Sequence, residues 1–196
     1  MISALQRRSR EAKMLHFFRT IKPESHHTVL ELGSGSGSYF LEHYPFRNKV
    51  TAVDHNTRLL DQLKEKYPEV TTLKLDLNKP LPFKDKSFDI IFSNAVIEHL
   101  AHQGQYAQEI ERVGKKYFIS CPNKHFPFEM HYRLPFFQYL PENLKRWIAK
   151  NFSFGPMKKG YYEQIRLLTA RELAMMFPNG TVSSFFYTYN LLAIKA

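Results

Sequence analysis

Apolar positions fall into short continuous runs separated by stretches with helical spacing. The runs predict strands at Thr28–Leu32, Lys49–Val53, Val70–Leu75, Phe88–Ser93 and Lys116–Cys121, each rich in Val, Ile, Leu, Thr, Phe or Tyr. In Thr57–Tyr67, Leu59, Leu60, Leu63 and Tyr67 fit a 3.6-residue period, with Asn56 placed to cap the helix. Ile97–Val113 reads as a further helix, with Gly104 as its expected break. Alternation of this kind implies a parallel sheet with helices on both faces.

The pattern changes after Cys121. Pro122, Pro127, Pro135, Pro141 and Pro156 stand among many aromatics and exclude one long helix. Pro141–Asn151 still admits one, because proline is tolerated at a helix start. Thr169-Ala-Arg-Glu172 is a capping box opening a helix that Pro178 ends. Thr181–Tyr187 and Asn190–Lys195 predict two strands around a short turn, which makes them antiparallel. The expected organisation is a basic helical arm (1–27), a ligand-binding core (28–121), an aromatic and proline-rich insertion (122–160) and a C-terminal helix and hairpin (161–196).

Charge alters this picture locally. The net charge is +10. Residues 28–111 carry nine basic and twelve acidic residues, whereas residues 112–166 carry eleven and three. A basic segment admits an anionic partner such as nucleic acid, a phosphorylated molecule or a lipid surface, and also serves solubility alone. The single cysteine, Cys121, excludes an internal disulfide and argues against a cysteine-based zinc site. No apolar run has membrane-spanning length and the N-terminus lacks a secretory pattern, so a cytoplasmic protein is expected. Leu5–Ile21 can form a helix with Met14, Leu15, Phe18 and Ile21 partly aligned. Packing on the domain is its expected role, and contact with an anionic membrane surface the alternative.

The chemistry concentrates in Val29-Leu-Glu-Leu-Gly-Ser-Gly-Ser-Gly37, where a strand enters three glycines at alternate positions. Ligands of doubly wound sheets bind at such first strand-to-helix turns, helped by glycine φ freedom and helix N–H groups. Asp54 ends the second strand, where a carboxylate can accept from both ribose hydroxyls. Asp76 ends the third and could accept from an adenine amino group, with Leu77 beside the ring. Glu31, inside the first strand, could take loop N–H groups or face a cationic ligand. A dinucleotide loop would place its third glycine at Ser38, not Gly37, and nothing demands a pyrophosphate. An adenosine with a cationic sulfonium tail, S-adenosylmethionine, fits better than NAD.

These residues, with Ala52-Val-Asp-His55, Leu75-Asp-Leu77, Leu81-Pro-Phe83, Ser87-Phe-Asp-Ile-Ile-Phe-Ser93 and Val96-Ile-Glu-His-Leu100, resemble the class I S-adenosylmethionine-dependent methyltransferases. The likeness is to the small-domain group that includes the ubiquinone-biosynthesis type. It covers residues 28–121. The resemblance implies a Rossmann-like, doubly wound α/β sheet of seven strands, mostly parallel, with the last strand antiparallel. It implies that Glu31, Gly33, Ser34, Gly35 and Gly37 shape the methionine side of the cofactor site. It further assigns Asp54 to the ribose, His55 to a face of the adenine, Asp76 and Leu77 to its edge, and Ser93 and Asn94 to pocket closure. S-adenosyl-L-homocysteine would be the product.

The methyl acceptor must be argued from the variable segment. Asn94-Ala-Val-Ile lacks the Asn/Asp-Pro-Pro-aromatic motif of enzymes that methylate amino groups of nucleic acids. A small-molecule or lipid-like acceptor is therefore expected. An RNA methyltransferase and a non-catalytic cofactor-binding module are the alternatives, with a nicotinamide oxidoreductase less favoured. Glu129 and His131, two apart, share a face if extended. His131 is the candidate general base or acceptor-orienting group, with Glu129 setting its tautomer. His99 and His102, beside Glu98, invite a metal reading, but no third ligand is evident and none is expected.

Overall fold

The structure is a computed structural model that describes the chain except Met1, Ser38, Met130, residues 153–159 and Tyr161; side chains of residues 2–6 also lie outside the description. After helix α1 (Ile2–Ile21) come β1 (Val29–Leu32), α2 (Tyr39–His43), β2 (Val50–Asp54), α3 (Thr57–Lys66), β3 (Thr71–Lys74) and β4 (Phe88–Asn94). They are followed by α4 (Gln103–Val113), β5 (Gly114–Pro122), β6 (Phe128–Glu129), β7 (Leu134–Pro135) and α5 (Glu142–Asn151). The chain closes with α6 (Ala170–Met176), β8 (Thr181–Phe185) and β9 (Asn190–Lys195). The main sheet has seven strands in the order β3-β2-β1-β4-β5-β9-β8. The first five are parallel; β9 runs antiparallel to β5 and to β8.

β1 is buried along its whole length, which is why it reads as a continuous run rather than an alternation. Its side chains still alternate between two cores. Leu30 and Leu32 join Ile91, Ile119 and Tyr106 on one face. Val29 joins Ile90, Phe92, Phe118, Phe40 and Phe17 on the other. Phe17, Met14 and Ile21 bring α1 into this second core. Asn56 caps α3 by accepting from Arg58 N–H, and Thr169 and Glu172 form the full capping box at α6.

The helix expected over Ile97–Val113 is two pieces. A single 3₁₀ turn, Ile97–His99, ends at Leu100, and α4 starts after His102. The break is not at Gly104, which lies within α4. Asn78 Oδ1 takes the Ala101 N–H at 2.8 Å, so the side chain of another loop replaces the helical acceptor there.

In the insertion, β6 and β7 form a short antiparallel hairpin. Tyr132, Phe137 and Ala149 centre a third apolar cluster, joined by Leu134, Leu140, Ile148, Tyr162 and Ile165. Pro156 lies outside the described residues.

Asp89 fastens the strand edges away from the ligand-binding end. Its Oδ2 accepts from the Thr28 N–H and hydroxyl, each at 2.9 Å, and its Oδ1 from Lys115 Nζ at 2.8 Å. Partial burial opposes the carboxylate, but these donors outweigh it and hold its pKa well below the usual range. The stabilisation is therefore complete above the unfolded carboxyl pKa of about 3.9 and lost as pH falls toward the depressed folded value. Asp89→Ala is expected to cost about 1–3 kcal/mol at neutral pH. Urea unfolding at pH 7 and at pH 3 should show a smaller deficit at the lower pH.

Candidate active site

The carboxyl ends of β1, β2 and β4 open onto a cleft of about 750 Å³, lined by Gly33, Asp54, His55, Asp76, Leu77, Asn78, Ala95, Val96, His99, Leu100 and Glu163. That volume suits a small organic ligand. The glycine loop is held down by strand β2: Gly33 and Ser34 N–H groups both donate to the Val53 carbonyl. All three loop glycines have positive φ, and a Cβ on Gly33 would meet Val96 Cγ2 at 2.3 Å. Gly35 has no atom within 4 Å of such a Cβ, so the loop leaves open space there. The helix after the loop is short, Tyr39–His43.

Asp54 is 7% exposed and spends both oxygens on backbone. Oδ2 accepts from Gly35 N–H at 3.0 Å and Oδ1 from Asn56 N–H at 2.9 Å, tying the loop to the end of β2. His55 is exposed beside it, Nδ1 3.3 Å from Asp54 Oδ1. Asp76 is half exposed at the cleft rim. Bonds from the Asn78 backbone and side chain hold its carboxyl below the usual range. Leu77 is buried at the cleft wall. Glu31 is buried on the α1 face of the sheet, in a small cavity shared with Lys13, Met14, Gly33 and Asn94.

Ser93 and Asn94 separate. The Ser93 hydroxyl turns into the core, where it accepts from Tyr106 Oη at 2.7 Å. Asn94 faces the other way, and its Oδ1 accepts from Lys13 Nζ at 2.5 Å. Next to it, Ala95 holds φ +57°, a left-handed conformation that costs a non-glycine residue about 1 kcal/mol.

Lys13 is a site residue the sequence reading missed. It is 8% exposed, and burial lowers its pKa to about 8 although Glu98 acts to raise it. Its Nζ also donates to Asn190 Oδ1. A lysine among arginines on a basic arm gives no sign of burial; only the burial of Met14 and Phe17 beside it fixes its direction.

Lys13, Asn94, Ala95, Pro122, His131, Tyr189 and Asn190 line a second cavity of about 150 Å³. His131 Nδ1 lies 2.6 Å from Glu129 Oε1, while Glu129 Oε2 accepts from Tyr132 N–H. Burial works against the imidazolium, but Glu129 prevails and raises the His131 pKa. The His99 ring stands 5.2 Å from that of His131, nearly perpendicular. His99 and His131, far apart in sequence, thus meet where the two cavities adjoin.

A glycine loop over a mostly parallel sheet, with an acidic residue at the next strand end, defines a nucleoside-binding α/β domain. Residues 30–117 match the family model Methyltransf_11, described as a methyltransferase domain. Over these residues the chain is similar to S-adenosylmethionine-dependent methyltransferases. It is 31% identical over 99 residues to the "Probable S-adenosylmethionine-dependent methyltransferase Rv3030" of Mycobacterium tuberculosis, covering 49% of this chain and 36% of that protein. An uncharacterised methyltransferase of Bacillus subtilis, YcgJ, is 28% identical over 102 residues, 50% of this chain and 40% of that one. The matched region therefore spans well under half the length of these relatives. The fold agrees with PH0226 of Pyrococcus horikoshii, with a TM-score of 0.68 at 19% identity over 96% of this chain and 89% of that one.

Proposed function

We propose that the chain catalyses methyl transfer from S-adenosylmethionine to a small-molecule or lipid-like acceptor, releasing S-adenosylhomocysteine. The observation that carries this is the charge of the 750 Å³ cleft: among the described residues, Asp54, Asp76 and Glu163 line it and no lysine or arginine does. A pyrophosphate is repelled by such a wall, whereas a nucleoside with a cationic sulfonium is attracted. When bound, the cofactor supplies an electrophilic methyl carbon. Asp54 would hold the ribose, His55 and Leu77 would flank the adenine, and Asp76 would face its edge. Gly33, Ser34, Gly35 and Gly37, with Glu31 behind them, would border the methionine end. Ser93, bonded to Tyr106, would fix the strand end that carries Asn94.

In-line methyl transfer asks mainly for alignment and exclusion of water. Lys13 and His131 line the acceptor-side cavity, where each can orient a polar acceptor atom; Glu129 fixes the His131 ring. The insertion also leaves Phe136, Tyr139, Trp147 and Phe152 about half exposed, an apolar surface suited to a lipid-like acceptor. Arg146 and Lys150 on the same helix would meet anionic headgroups. Among the described residues no helix is long and apolar enough to cross a membrane. A reducing compartment, the cytoplasm, suits a chain whose one cysteine is a buried thiol.

Thermal unfolding and calorimetry with S-adenosylmethionine, S-adenosylhomocysteine, NAD and NADP test the reading. At 100 times its Kd a ligand adds about 2.7 kcal/mol. For a domain of this size that is a rise in Tm of roughly 5–10 °C. Stabilisation by the two sulfur nucleotides alone is expected, and stabilisation by NAD alone overturns it. RNA binding that weakens steeply with salt would move the acceptor class to nucleic acid.

A further inference from the structure

We propose that Glu98, His99 and His131 form a site for one divalent transition-metal ion, between the cofactor cleft and the acceptor-side cavity. One ligand atom from each of the three lies within 4.8 Å of the others. Glu98 is wholly buried, and neither of its carboxylate oxygens has a hydrogen-bond partner among the described residues. A buried carboxylate left in that state is costly. A bound cation would satisfy it.

Both histidines are already oriented as metal ligands are. His99 Nδ1 lies 2.6 Å from Glu163 Oε1, and His131 Nδ1 lies 2.6 Å from Glu129 Oε1. Metal-bound imidazoles almost always give their second nitrogen to such a partner, which fixes ring and tautomer. With each Nδ1 engaged, Nε2 is the nitrogen left to bind. His99 Nε2 stands 4.0 Å from Glu98 Oε1. Bonds of about 2.1 Å would draw the three ligand atoms together by side-chain rotation.

The charge balance points the same way. Glu98, Glu129 and Glu163 surround two imidazoles, and Nζ of the nearby Lys13 is committed to Asn94 and Asn190. Two imidazoles and one carboxylate suit Zn²⁺, Mn²⁺, Fe²⁺ or Co²⁺, and leave coordination positions open. His99 lines the large cleft and His131 the acceptor-side cavity. An open position there would take a hydroxyl or carboxylate oxygen of the acceptor. That last step rests on the methyl-transfer reading; the metal site itself does not. On this account His131 acts through the ion rather than as a free base, and Glu129 and Glu163 are positioning residues.

The test is metal binding by the full chain after chelator treatment, without cofactor or acceptor. Zn²⁺ calorimetry should give one ion per chain, and Co²⁺ should develop ligand-field absorption. Glu98→Gln and His131→Gln should each weaken Co²⁺ binding at least about 100-fold, and Glu163→Gln about 10–100-fold. His26→Gln/His27→Gln, which removes two adjacent histidines remote from the proposed site, should leave it unchanged. Imidazole resonances of the unmodified protein guard against misfolded variants: Zn²⁺ should shift those of His99 and His131. No binding, or shifts confined to His26 and His27, overturns the proposal. Failure of the cofactor titrations would leave this result untouched, so the two readings fail separately.

Discussion

Replacing Asp54 by alanine is expected to raise the Kd for S-adenosylmethionine by roughly 100-fold or more. A charged acceptor contributes about 1.5–3 kcal/mol for each hydrogen bond it accepts, and two ribose hydroxyls would lose theirs. About 3 kcal/mol of that total surviving in the net would already give the 100-fold change. The same carboxylate also accepts from Gly35 and Asn56 N–H groups, so the loop loses its anchor as well as the ligand. Asp54→Asn sharpens the argument. Each carboxylate oxygen faces a backbone donor, so the amide must turn its own NH₂ toward one of them. Asparagine is therefore expected to behave nearly as badly as alanine despite its matching shape. Asp61→Ala, on the exposed face of α3, should leave affinity unchanged. Calorimetry on the three variants checks this, and wild-type affinity in Asp54→Ala removes the ribose assignment.

The parts of the site that one strand and its following turn create were legible in the sequence. Gly33, Asp54 and Leu77 each follow a short apolar run, so their position in the chain fixes their place at the sheet's carboxyl edge. Glu129 and His131 were legible for the same local reason, being two apart. What was hidden depends on the tertiary path. His99 meets His131 because the insertion folds back toward the cleft; the segment that follows it is pinned there by Arg166 N–H on the Glu98 carbonyl and by Gln103 on the Arg166 carbonyl. The local spacing pointed instead to His102, which stands exposed at the N-terminal boundary of α4 and makes no side-chain capping bond. Ser93 and Asn94 are adjacent in sequence, yet consecutive residues of a strand face opposite sides of the sheet. One went to the core and the other to the cavity.

The N-terminal helix supplies the other large expected effect. Phe17→Ala should destabilise the domain by about 3–5 kcal/mol, lowering Tm by roughly 6–20 °C. Phe17 is fully buried, with edge-to-face contacts to Phe40, Phe92 and Phe118 at 5.5 Å between ring centroids. Those three rings sit on α2, β4 and β5, so one side chain joins α1 to the loop helix and to both strands that lead to the cavities. Truncation would leave a cavity among rigid aromatics that cannot collapse to fill it. It would also loosen the turn of α1 that carries Lys13 and Met14 to the site, so acceptor-side function should fall even below the melting range. Leu15→Ala is the control: Leu15 is 59% exposed on the same helix and should shift stability by no more than about 0.5 kcal/mol. Equal, small effects from both variants would mean that α1 lies on the domain without being part of its core. A large loss at Phe17 alone would show that α1 is part of the domain's core, which holds its buried Lys13, with Arg10 beside it, at the wall of the two small cavities.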